Sequence, residues 1–144
     1  MPQRNPQELA QAVGAKMFEH DRASRALGME LADVGVGTSK MKLRVRADML
    51  NGHGTCHGGV IFTLADSTFA FACNSHNHVT VAAGCNIEFL QPAYENDVLT
   101  ATGQEVAVAG RNGVYDIRVE NQNGETVATF RGKSARIKGH IVDA

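Results

Sequence analysis

The sequence predicts an α+β domain in which a curved antiparallel sheet wraps around one central buried helix. Three observations predict it. Val60 to Cys73 is apolar on nearly every side and longer than a typical strand, the mark of a helix buried all round. Four strand-like runs follow it, two of their junctions marked by Asn-Gly pairs. Ahead of it, Lys40 to Arg46 alternates apolar and basic residues without a fault, so a half-buried strand precedes the helix. Strands grouped on one side of a single helix, with no βαβ alternation, give the α+β class.

The elements follow in order. An extra N-terminal helical segment spans about Pro6 to Leu27, with Leu9, Val13, Met17 and Phe18 at roughly helical spacing and Gly28 as its stop. After the Lys40–Arg46 strand, Leu50-Asn51-Gly52-His53-Gly54-Thr55-Cys56-His57-Gly58-Gly59 is too glycine-rich for regular structure and reads as a loop. Beyond the buried helix, strands are predicted over Val79–Leu90, Val98–Val108, Val114–Glu120 and Thr126–Ile137. Asn112-Gly113 and Asn123-Gly124 supply the positive-φ pairs that hairpin turns need. Tyr115, Ile117 and Val119 share one strand face, and Asp116, Arg118 and Glu120 the other. No linker, repeat or low-complexity tract interrupts the chain, so residues 1–144 read as one domain, long enough to bury about 68–70% of its unfolded surface.

Composition excludes several classes. Fourteen basic and fifteen acidic residues nearly cancel, which argues against a nucleic-acid or membrane-surface role. The first eight residues lack the apolar core of a signal peptide, and no apolar run approaches the ~20 residues of a membrane span. Cys56, Cys73 and Cys85 are odd in number and suit reduced, mostly buried thiols. A cytoplasmic location is the expectation.

Chemistry concentrates around the loop and the helix. Asp66 is a carboxylate in an apolar helix, and no Lys or Arg lies between Gly58 and Cys73 to pair with it. Such a group either serves function or bonds a backbone amide or water at a subunit contact. Gly58 and Gly59 open the helix, where backbone N–H groups lack intrahelical partners and missing side chains let a ligand oxygen approach closely. That is what an oxyanion hole requires, although a tight turn alone would also use glycine. Other motifs fail on spacing. His53 stands where a dinucleotide fingerprint needs glycine, and Val127 where a phosphate-binding loop would. Ser67 has no G-x-S-x-G frame. The six histidines and three cysteines form no CxxC or HExxH, so no metal is expected. His57 reads as fixing the helix start, and His20, His76, His78 and His140 as surface residues.

Gly58 and Asp66 are eight residues apart, about 12 Å along one straight helix. One carbonyl carbon cannot lie about 3 Å from both. Either they serve different ends of a ligand, or two chains pair Gly58 of one with Asp66 of the other across a two-fold axis.

The residues Leu50-Asn51-Gly52-His53, Cys56-His57-Gly58-Gly59 and Leu64-Ala65-Asp66 resemble the active-site segment of the phenylacetate-degradation (PaaI-type) thioesterases. Gly113-Val114-Tyr115-Asp116-Ile117 and Phe130-Arg131-Gly132-Lys133-Ser134 are also similar to that family. The likeness runs over almost the whole chain and is weakest in the first few residues and the Val34–Lys40 turn. The resemblance implies a hotdog fold, dimers assembled into tetramers, and hydrolysis of aryl- or hydroxyaryl-acetyl-CoA thioesters. It places Asp66 as nucleophile or general base and Gly58 as the donor to the thioester carbonyl. Asn51 would lie near the reacting group and His57 would position it. Relatives with Glu at the Asp66 position carry Thr one turn later. Here that position is Ala70, which leaves Thr68 or Ser67 as the nearest hydroxyls.

Coenzyme A would enter as part of the substrate, with no separate cofactor implied. Its phosphates call for cations. Arg131 and Lys133 share a strand face beside Ser134 and suit phosphate contacts better than solubility charge, whereas Arg111, in a hairpin, suits either reading equally. Gly59 would flank the donor, and the small Ala83 and Gly84 suit a pantetheine arm or packing on the helix. Two rivals remain at this level. A non-catalytic acyl-CoA binding module would not need Asp66. A hotdog dehydratase for hydroxyacyl thioesters would use a His with an acid across the interface, but the glycine pair after His57 fits thioester hydrolysis better.

Overall fold

The structure, a computed structural model, describes residues 3–144. Two N-terminal helices, α1 (Pro6–His20) and α2 (Arg22–Ala26), precede the hairpin β1 (Glu30–Gly35) and β2 (Thr38–Arg44). A 3-10 turn, Ala47–Met49, leads through the glycine loop into α3 (Gly58–Asn74). Four strands complete the chain: β3 (Thr80–Phe89), β4 (Val98–Ala109), β5 (Asn112–Glu120) and β6 (Thr126–Arg136). All six strands pair antiparallel in one sheet ordered β1-β2-β4-β5-β6-β3, with α3 packed across it. This is the expected hotdog arrangement.

Close approach between α3 and the sheet explains one small residue. The Phe69 ring lies 2.7 Å from where a Cβ on Gly132 would stand, so only glycine leaves room for it. Phe69 then packs at 5.8 Å on the rings of both Tyr115 and Phe130, in the tilted geometry that aromatic quadrupoles favour. Tyr115, Ile117 and Val119 are buried as their alternation predicts.

Five local expectations are corrected. The N-terminal helix breaks at Asp21, whose carboxylate accepts the Ser24 N–H (3.0 Å) and the Ser24 hydroxyl (2.6 Å) and so starts a second helix. Strand β1 was not foreseen, because a bulge between Leu31 and Asp33 destroys its period of two. The β4–β5 turn falls at Gly110-Arg111, with Gly110 at φ +62°, and Asn112-Gly113 lies inside β5. Gly113 instead makes room: a Cβ there would meet Ser134 Oγ at 2.8 Å. Asn123-Gly124 does turn the chain, with Gly124 at φ +75°. His76, expected at the surface, is half-buried with Nε2 2.7 Å from Glu105 Oε1, which also accepts the Tyr115 hydroxyl at 2.9 Å. Cys56 and Cys73 are buried but Cys85 is exposed.

The fifth correction concerns α3, which is not covered all round. Ile61, Leu64, Ala65, Thr68, Phe69 and Ala72 are buried against the sheet and the N-terminal helices. Gly59, Thr63, Asp66 and Ala70, spaced along one helical stripe, are not. Beside them runs β3, an edge strand exposed on both faces over most of its length.

Candidate active site

The loop before α3 is braced by its own side chains. Asn51 Oδ1 accepts the N–H groups of His53 (2.9 Å) and Thr55 (3.2 Å), and its Nδ2 donates to Thr55 Oγ1 (3.1 Å). Gly54, at φ +80°, closes this Asx-type turn. The Cys56 N–H donates to Ala93 O and the His57 N–H to Met49 O, each at 2.8 Å, so the helix start is fixed to two neighbouring segments.

His57 is the N-cap of α3, and its Nδ1 accepts the Gly59 N–H at 2.8 Å. A ring nitrogen that accepts carries no proton, so in the neutral ring the proton is on Nε2. The His57 carbonyl accepts from Val60 (2.9 Å) and Ile61 (3.3 Å). Of the two glycine donors, His57 has therefore taken Gly59. Among the described residues nothing accepts the Gly58 N–H. Phe89, the last residue of β3, lies against Gly58: its Cζ is 3.3 Å from where a Cβ would stand. Sequence reasoning passed over Phe89, whose only signal was an aromatic next to Leu90 ahead of Pro92.

Asp66 lies two turns further on, on the uncovered stripe, with no hydrogen bond or ion pair to any described residue. Burial without a partner pushes its carboxyl pKa up. Cys85 on β3 is close enough to feel that charge, its thiol raised first by burial and then by Asp66. Cys73 is pushed up to about 12 and Cys56 to about 11, in both chiefly by burial, so neither thiol is a thiolate nucleophile at neutral pH.

The two hydroxyls next to Asp66 face elsewhere. Ser67 Oγ is 2.8 Å from Ser24 Oγ, on the side of α2. Thr68 is fully buried; its hydroxyl donates to Leu64 O at 2.8 Å, and its own carbonyl accepts from Ser39. The residues suggested for coenzyme A divide similarly. Arg131 is held by Asp116 through two contacts of 2.6 and 2.8 Å, a fork that keeps the Asp116 carboxyl below its usual range. Lys133 projects from the same outer face with no ion pair among the described residues. Ser134 is buried, on the inner face of β6. Arg111 sits exposed in the β4–β5 turn, and Ala83 and Gly84 lie at a bulge in exposed β3.

The thioesterase-superfamily model matches residues 53–128, the span from the glycine loop through β3, β4 and β5 into β6. The chain belongs to the thioesterase superfamily. It is 48% identical over 125 residues to the acyl-coenzyme A thioesterase PaaI of Escherichia coli, covering 87% of this chain and 89% of that thioesterase. Its fold superposes on the structure of the Escherichia coli PaaI protein from the phenylacetic acid degradation operon with a TM-score of 0.93 and 44% identity, covering 94% and 99% of the two chains. A hypothetical thioesterase protein from Streptococcus pneumoniae, solved with coenzyme A, is more distant at 26% identity and a TM-score of 0.75, with 78% and 90% covered. Within this thioesterase the matched span carries Gly58 and Asp66 on one helix and Phe89 beside it.

Proposed function

We propose that the protein hydrolyses acyl-CoA thioesters of the aryl- or hydroxyaryl-acetyl type at a site shared by two subunits. The observation that carries this reading is a pair of unsatisfied groups on one helix. The Gly58 N–H and the Asp66 carboxylate both lack partners among the described residues, and about 12 Å of helix separates them. Each suits one half of thioester hydrolysis, and neither can serve the same carbonyl from the same chain.

The Gly58 N–H, at the positive end of α3, stabilises the oxyanion that forms when the carbonyl is attacked. Asp66 of the other subunit supplies the base or the nucleophile. As base it takes a proton from water, the oxygen attacks the carbonyl carbon, the C–S bond breaks and the thiolate collects the proton. As nucleophile it forms a mixed anhydride as the thiolate leaves, and water then cleaves the anhydride. His57 acts by holding the Gly59 N–H and so fixing the helix start. Asn51 acts by bracing the loop.

A homodimer is supported by the exposed edge of β3 beside the uncovered stripe of α3, which a second copy would complete. Two such dimers would make the tetramer. No helix is long and apolar enough to cross a membrane among the described residues, and the buried thiols suit a reducing, cytoplasmic compartment. A non-catalytic binding module would keep Gly58 but gain nothing from an unpaired carboxylate. For a dehydratase, Nδ1 of His57 is already engaged with Gly59.

A thiol-release assay across aryl and alkyl CoA thioesters tests the activity directly; no release from any of them would overturn it. The pH profile tests Asp66. Burial favours its neutral acid and catalysis needs the carboxylate, so the rate should fall as pH drops through a midpoint above the ordinary Asp value of 3.8. An acid limb at or below 3.8 would assign the chemistry elsewhere. For the CoA end, Lys133→Ala should raise KM for CoA esters several-fold and leave short thioesters without the nucleotide unaffected. Arg131→Ala should do less, because Asp116 already engages that guanidinium. Equal losses on both substrate types would make the strand's role structural.

A further inference from the structure

We propose that the pocket beside Gly58 receives the acyl group and that Phe89 sets its preference for aromatic acyl groups. This rests on the thioesterase reading for the identity of the ligand, and on separate observations for the place and the residue.

The pocket, about 350 Å³, is lined by Cys56, Gly58, Ile61 and the Phe89–Pro92 segment. It lies at the small end of the roughly 300–1,000 Å³ typical of ligand sites, enough for an acyl group but not a whole acyl-CoA. Its chemistry is apolar. The Cys56 thiol is neutral at physiological pH, and the Gln91 side-chain amide donates to Thr126 O at 3.0 Å. No charged side chain lines it, so it suits a hydrocarbon group and not a phosphate. Its walls are built in advance: Cys56 N–H donates to Ala93 O and Leu90 N–H to Val127 O, each at 2.8 Å.

Phe89 and Leu90 nevertheless leave 52% and 61% of their surface exposed in the chain, apolar area that a bound acyl group would cover. The orientation follows from β3 and α3. Cys85 stands near Asp66 and Phe89 against Gly58, so the inner face of β3 tracks the helix back to its start. A carbonyl oxygen on the Gly58 N–H thus leaves the adjoining carbon of the acyl group next to the Phe89 ring. An aromatic acyl group would gain ring-on-ring contact there that an alkyl chain cannot.

The test uses two inert CoA thioethers, S-phenethyl-CoA and S-hexyl-CoA, with binding measured by calorimetry, alongside turnover of phenylacetyl-CoA and hexanoyl-CoA. Phe89→Leu should lower the aryl-over-alkyl preference about two- to tenfold, the size of one aromatic pair, in both binding and kcat/KM. Phe89→Tyr should retain it. Equal loss for both ligands, or a changed oligomer mass with an unchanged preference, would overturn the assignment. The thioethers need no turnover, so wild-type protein that binds them selectively without hydrolysing either ester would sink the thioesterase reading and leave the pocket standing. Wild-type protein that binds neither thioether would overturn the pocket. Independently of any variant, a 4-azidophenethyl-CoA thioether should photolabel the Phe89–Pro92 or Cys56–Ile61 peptides, and labelling elsewhere would place the acyl group outside this pocket.

Discussion

Asp66→Asn protein is expected to lose thiol release by ~10²–10⁴-fold or more while melting at a higher temperature than wild type. Both effects have one origin. Burial raises the folded-state pKa of Asp66 above its unfolded value, so the folded protein binds that proton more tightly. Between the two pKa values the folded state holds more protons, and stability falls as pH rises through that window. Above that window the penalty is fully present, and the neutral amide removes it while keeping the shape. Thiol release and a thermal melt at pH 7 measure the pair. Turnover near wild type would refute the proposed chemistry. A lower melting temperature would instead reveal a stabilising partner for the carboxylate in the assembled protein.

Mixing two inactive proteins should restore activity, and this is the sharper result. Asp66→Asn removes the carboxylate, and Gly58→Val crowds the donor, its Cβ falling 3.3 Å from the Phe89 ring. That ring is half exposed at the chain surface and needs to give by only a few tenths of an ångström, so the variant should fold. In a mixed dimer one site carries both lesions and the other neither. Refolding an equal mixture makes half the dimers mixed, each with one good site of two, so roughly a quarter of wild-type activity should return. If Gly58 and Asp66 of one chain formed one site, every site would carry a lesion and nothing would return. Absence of recovery after subunit exchange, verified by mass spectrometry, would therefore end the shared-site model.

The features legible in the sequence were those encoded by local pattern. The buried helix, the strands after it and the alternation of Tyr115, Ile117 and Val119 all emerge near their predicted positions because period and burial agree there. Strand β1 did not, since its bulge leaves no alternation to read. Asn112-Gly113 misled for a related reason: a residue pair can report conformational freedom or lack of bulk, and Gly113 is small for the sake of Ser134 across the strand. At the site, Asp66 and Gly58 were visible as chemical exceptions in their surroundings. The ring of His57 capturing the Gly59 N–H, the fork between Asp116 and Arg131, and Phe89 against the helix start are contacts whose geometry no spacing rule specifies.

The capture of Gly59 by His57 leaves, at the start of α3, one donor that no described residue accepts, and that donor belongs to the peptide backbone. A codon change at position 58 can add atoms around the N–H but, proline apart, cannot delete it. Under the proposed chemistry, loss of function at this point of the chain would therefore arise by accretion, whereas at Asp66 it would arise by deletion. The two halves of the proposed chemistry would thus face opposite kinds of mutational risk. A random library sorted for activity should tolerate only the smallest side chains at 58. At 66 it should be indifferent to size and intolerant of every residue that is not an acid. Drift in acyl preference would meanwhile proceed through the walls around the donor, with the donor itself inherited unchanged.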